Sequence, residues 1–165
     1  MGRVRSVLRS AYFAVLGLPM AFGSPPARAR VTRRVLRMPF ELRGPGVVRA
    51  VAHSLLSAAV GVVAWFVVFL AGIGLVRGIF YPLVAANDYE NSWGGPTLAG
   101  AWAVHAGLAV ALLPVWALLL AGIGAVELRL AQRLLGRNGP WWPIPVALVL
   151  FLVGIVFFMA WLHQA

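Results

Sequence analysis

The residues best suited to chemistry gather in one stretch of the chain, where Arg77, Tyr81, Asp88, Tyr89, Glu90, Trp93 and His105 follow one another within residues 77–105. A histidine changes charge near neutral pH. Carboxylates and a guanidinium supply fixed charges, and aromatic rings supply flat faces. The chemistry open to such a set is ligand binding or a response to protonation. His105 lies within an apolar run, where an ionisable side chain needs a partner or water and is by default a functional candidate. The plainer alternative gives it a hydrogen bond to a neighbouring helix. His163 falls on the same side of the expected topology.

Other chemistries lack their parts. The chain has no cysteine, which removes disulfides and thiolate sites. No two histidines share metal-ligand spacing, so no metal is expected. A nucleophile paired with a base, a glycine-rich phosphate loop after a strand and paired intramembrane carboxylates are all missing. The expectation is a protein that is not an enzyme and carries no cofactor.

The elements that must position these residues follow from hydropathy. Of 165 residues, 62% are hydrophobic and the mean hydropathy is +0.90, far above the roughly 45–50% apolar content of a soluble domain. Runs at about 55–76, 98–126 and 144–162 reach the ~18–20 residues that cross a bilayer as helix. The expected fold is an all-α integral membrane protein, a small bundle of three transmembrane helices with an amphipathic, arginine-rich N-terminal helical region. Residues 1–50 form a basic cytoplasmic or interfacial region, and 51–165 form the transmembrane domain.

Charge orients these spans. Fourteen arginines and no lysine face four acids, giving a formal charge of +10. Ten of the arginines precede the first long apolar run, while Arg129, Arg133 and Arg137 follow the second, as expected of cytoplasmic flanks. The loop from Asn87 to Gly95 holds Asp88 and Glu90 and no base, so it faces outward. The N-terminus is then cytoplasmic and the C-terminus outside, in a multi-pass protein of the cell membrane. The basic flanks call for anionic lipid head groups as partners. Nucleic acid is not expected, because no soluble fold presents the basic face.

Local signals refine this map. Pro96-Thr97 opens the second span with a proline and a capping hydroxyl. Glu127 with Arg129, Arg133 and Arg137 returns the chain to the cytoplasmic side, the arginines on one helical face and Leu130 and Leu134 on another. Trp141, Trp142 and Trp161 form an aromatic belt around the third span. Near the N-terminus, the apolar part from Ala11 to Phe22 is about 18 Å long as helix, short of the ~30 Å hydrocarbon core. It is expected to lie on the membrane, with a fourth span as the alternative. Pro25-Pro26 ends this helix, and a second short one is expected over Val31 to Met38. Ala27-Arg28-Ala29 also resembles a leader-peptide cleavage site, although cleavage there would export six arginines against the positive-inside tendency.

Helix packing has its own pattern. Gly74 and Gly78 form a GxxxG pair, and Ala99, Ala103, Gly107 and Ala111 line one face of the second span at four-residue spacing. They serve packing within the chain or a homodimer seam. Ala-Gly-Ile-Gly occurs at Ala71–Gly74 and again at Ala121–Gly124, which reads as coincidence or shared packing before it reads as a repeat.

The stretch from Ser92 to Ala106, Ser-Trp-Gly-Gly-Pro-Thr-Leu-Ala-Gly-Ala-Trp-Ala-Val-His-Ala, is followed by an apolar span and by Leu-Arg-Leu-Ala-Gln-Arg-Leu-Leu-Gly over Leu128–Gly136. Together they resemble the sensor domain family of actinobacterial signalling proteins over residues 45–137. The resemblance implies a membrane-embedded input module, often placed ahead of a kinase or other output region. No kinase, phosphoacceptor segment or DNA-binding domain follows Gly136; a third span stands there. The implied function is therefore sensing through a separate signalling partner. An alternative from another class is a structural or accessory subunit of a membrane complex.

Overall fold

The computed structural model describes residues 2–44, 46–85, 89–137 and 139–164. It is all-α, 79% helical, with no strand among the described residues. The helices are α1 (Gly2–Ala21), α2 (Pro25–Leu36), α3 (Val47–Ile79), α4 (Tyr81–Val84), α5 (Leu98–Ala111), α6 (Leu113–Leu134) and α7 (Pro143–Leu162). Three helical stretches are long and apolar enough to cross a membrane: Val47–Ile79, Leu98–Leu134 and Pro143–Leu162. They contain the three runs expected from hydropathy, and the first two extend beyond them.

Prolines account for several of the boundaries. Pro25 and Pro26 occupy the first turn of α2, where a missing N–H costs nothing because that donor has no intrahelical acceptor. The second helix therefore starts six residues before the expected Val31. Pro114 has no N–H to offer the Val110 carbonyl, and the long helical stretch is interrupted there, at Leu112 between α5 and α6. Thr97 caps α5 as expected, its hydroxyl accepting from the Gly100 N–H at 3.1 Å.

The chain divides into two compact units. One comprises residues 1–66 and 117–165, and the other comprises 67–116.

In the first unit, α1 is a packed element, with Phe13 and Ala14 at most 1% exposed. It crosses α3. Three successive turns of α3, at Ser57, Gly61 and Trp65, meet Gly17, Leu18 and Val15 of α1. Such an approach needs bare backbone. A Cβ on Gly61 would strike the Leu18 backbone, and one on Gly124 of α6 would strike the Ser10 carbonyl. Gly74, the counterpart of Gly124 in the first Ala-Gly-Ile-Gly sequence, faces open space, so the two copies do different work. Arg129 and Arg133 of α6 are exposed while Leu130 and Leu134 are buried, the division expected from their spacing. The connection after α2 lies against the end of α6: Arg43 N–H donates to the Leu135 carbonyl at 2.9 Å, and Ala29, Phe40, Ala131 and Leu135 form a small core. On α7, Phe158 meets Phe66 of α3 edge-on at 5.6 Å.

In the second unit, the end of α3 packs on α5. Gly78 is buried where a side chain would strike Ala109 and the His105 carbonyl. The Trp102 indole donates to the Ile79 carbonyl at 2.8 Å, giving a partner to one of the carbonyls that a helix C-terminus leaves over.

Candidate functional site

The residues singled out by sequence divide into a joined pair and the rest. Tyr81 and His105 come together: their rings stack with centroids 4.1 Å apart and planes 17° apart. Tyr81 is buried, and its hydroxyl donates to Ser92 Oγ at 2.7 Å. Ser92 Oγ donates in turn to the Tyr89 carbonyl at 2.8 Å. The ring that meets His105 is thus also the anchor of the loop. His105 Nδ1 lies 2.8 Å from the Ala101 carbonyl of its own helix. Since a carbonyl only accepts, Nδ1 carries hydrogen, and the expected bond to a neighbouring helix is replaced by one within α5.

Most of the remaining members of the set differ from this pair in exposure. Arg77 is exposed and lines an open apolar groove with Phe69, Gly72, Ile73 and Val76. Glu90 and Trp93 are exposed, and Tyr89 is half-buried. Asp88 lies outside the described residues. Of the packing residues, Gly78 makes a close helix contact and Gly74 makes none. Ala99, Ala103, Gly107 and Ala111 are all exposed.

A second polar cluster, in the first unit, was not singled out by sequence. Arg28, counted above among the flanking charges, is 6% exposed. Its Nε donates to the Gly23 carbonyl and its Nη2 to the Ala21 carbonyl, both at 2.7 Å. Nη2 also donates to Ser54 Oγ at 2.6 Å, and Nη1 to His53 Nδ1 at 2.9 Å. The guanidinium closes the C-terminal end of α1, where a cation also meets the favourable end of the helix dipole, and fastens it to α3. Burial lowers the guanidinium's pKa from its ordinary value, but arginine starts so high that it keeps its charge. Because arginine has no acceptor to offer, His53 Nδ1 must accept, and the imidazole hydrogen sits on Nε2. That atom is buried with no hydrogen-bond partner among the described residues.

Glu127 corrects an expectation. Read as the start of a polar flank, it is instead 1% exposed in the interior of the first unit. Ser57 Oγ lies 2.9 Å from Glu127 Oε2 and 3.2 Å from the Gly17 carbonyl. Glu127 Oε1 is buried without a hydrogen-bond partner and faces Gly17, where any Cβ would meet it at 2.5 Å. A signal for this site existed in the sequence: Glu127 is one turn past Ile123 and one turn before Ala131, so it shares their helical face. Both neighbours are buried. His53 and Ser57 likewise stand four residues apart on one face of α3. No group of three or more potential metal ligands occurs among the described residues.

These features define the class: a small, all-helical integral membrane protein with polar residues held inside an apolar chain. No family model, no curated protein and no solved structure matches it.

Proposed function

We propose that this chain is a membrane-embedded, sensor-like signalling protein that acts through a partner. The observation that carries the reading is the Tyr81–His105 stack, with the Tyr81 hydroxyl bonded to Ser92. Through that one ring, an event at the loop bears directly on α5. A stimulus acts only by favouring one packing over another. Displacing Ser92 or turning His105 changes how α4 and α5 meet, and the partner reads the change. The resemblance of residues 45–137 to sensor domains supports the same reading. The N-terminus is cytoplasmic, the loop and the C-terminus lie outside, and the arginines, including Arg30, Arg33 and Arg34 around an open cleft on α2, meet anionic head groups. Reporter fusions after Ser24 and at the C-terminus test the orientation; finding both ends outside refutes it. For function, deletion of residues 89–95 and His105→Ala should each abolish stimulus-dependent output from the cognate partner. Unchanged output from both variants would overturn the proposal.

One observation favours an accessory-subunit reading. The face of Ala99, Ala103, Gly107 and Ala111 is exposed along its length, and small residues allow helices to approach closely in lipid. Constitutive co-purification of one stoichiometric partner, lost on Gly107→Leu, would support that role over sensing.

A further inference from the structure

We infer that Glu127 is a proton-binding site whose occupancy controls the seating of α1. The inference is independent of the outer-loop reading and rests on a hydrogen-bond count. Ser57 Oγ has one hydrogen and two acceptors within reach, the Gly17 carbonyl at 3.2 Å and Glu127 Oε2 at 2.9 Å. If Glu127 is ionised, the carboxylate claims that hydrogen and the link to α1 is lost. Oε1 then remains a bare, charged acceptor against the Gly17 backbone with no donor, and an unpaired buried charge is far costlier than an unpaired neutral oxygen. If Oε2 carries a proton, the acid donates to Ser57 Oγ and Ser57 donates to the Gly17 carbonyl. Each member of that relay is then used, and α6, α3 and α1 are joined in one chain of hydrogen bonds.

The groups around the site favour a proton over a metal ion. Gly17 packs directly on Oε1, which leaves no room for a cation and its own shell of oxygens. From α2 the nearby charge is Arg28, whose bonds go to Ala21, Gly23, His53 and Ser54 and not to Glu127. From α3 it is His53, one turn from Ser57, with Nδ1 taken by Arg28. From α1 the contact is the backbone of Gly17. The arginine stays charged as the carboxyl titrates, so the switch belongs to the Glu127–Ser57–Gly17 relay.

Two measurements on the full chain in lipid nanodiscs test this. Infrared difference spectra across a pH titration should contain a protonated-carboxyl band that disappears in Glu127→Gln and shifts, without vanishing, in Ser57→Ala. The chain has no cysteine, so a single Met20→Cys on the buried face of α1 gives a unique thiol. Its maleimide labelling, normalised to the same thiol in the unfolded chain, should rise about tenfold or more as Glu127 deprotonates. Glu127→Gln keeps an N–H donor toward Ser57 and should hold labelling low at every pH. Absence of a Glu127 carboxyl band at any pH where the chain is folded would overturn the inference. So would pH-independent labelling of the parent, or labelling of Glu127→Gln as fast as that of the deprotonated parent.

Discussion

The indole N–H of Trp65 donates to the Val15 carbonyl at 3.1 Å, and that carbonyl is free because Pro19, four residues on, has no N–H to offer it. A proline inside α1 therefore creates an acceptor by which α3 holds α1, beside the Gly17 carbonyl that faces Ser57. The bond is exposed on the helix surface, and in lipid, which offers no donor, a bare carbonyl there is expensive.

The arrangement predicts a rescue. Trp65→Phe should destabilise the packing of α1 by about 1 kcal/mol, the ordinary net worth of one hydrogen bond. Pro19→Ala returns an N–H to the Val15 carbonyl, so Trp65→Phe should cost less in the Pro19→Ala background. Unfolding in graded denaturing detergent measures the double-mutant cycle; equal costs in both backgrounds would refute the link.

Arg28 should not tolerate lysine. Lysine keeps the charge but has no planar fork, and it cannot reach the Ala21 and Gly23 carbonyls and His53 Nδ1 together, each group left unpaired costing about 1–3 kcal/mol. Both Arg28→Lys and Arg28→Ala should free the α1–α2 connection for proteolysis near Ser24. Substituting exposed Arg30 or Arg34 should leave the cleavage rate unchanged.

Close approach predicts which glycines matter. Gly124→Ala and Gly61→Ala place a Cβ against the backbone of α1 and should lower the unfolding midpoint, each costing about 1–3 kcal/mol. Gly122→Ala, which faces open space, should change little. The same contrast holds in the other unit: Gly78→Leu should disrupt the α3–α5 contact and Gly74→Leu should not.

Tyr81 ties the loop to His105. Tyr81→Phe keeps the stacked ring and removes the 2.7 Å bond to Ser92. Hydrogen exchange should then speed up at residues 89–95 by roughly fivefold, the equivalent of one net hydrogen bond, while α5 stays protected. Tyr81→Ala should loosen both.

Much of this fold was legible in the sequence because its cause is local. Hydropathy and length place the three membrane-crossing stretches, Thr97 announces its cap, and the arginine and leucine faces of α6 follow from helical spacing. The stacked pair at the outer site was half legible: Tyr81 and His105 were both singled out, but nothing in the spacing showed that their rings meet, or that Arg77 and Glu90 are exposed.

The sequence by itself determined that this is an all-helical membrane protein with a basic N-terminal third, since transfer of apolar side chains out of water depends on composition and run length alone. Only the tertiary structure decided which polar residues are buried. Arg28 and Arg30 are two residues apart and alike in sequence context, yet one is buried among four partners while the other is exposed. Glu127 has the sequence appearance of a flank and the environment of a core. The difference arises from where α1 crosses α3 and α6, at Gly17, Gly61 and Gly124, and that crossing is set by backbone contacts between segments far apart in the chain.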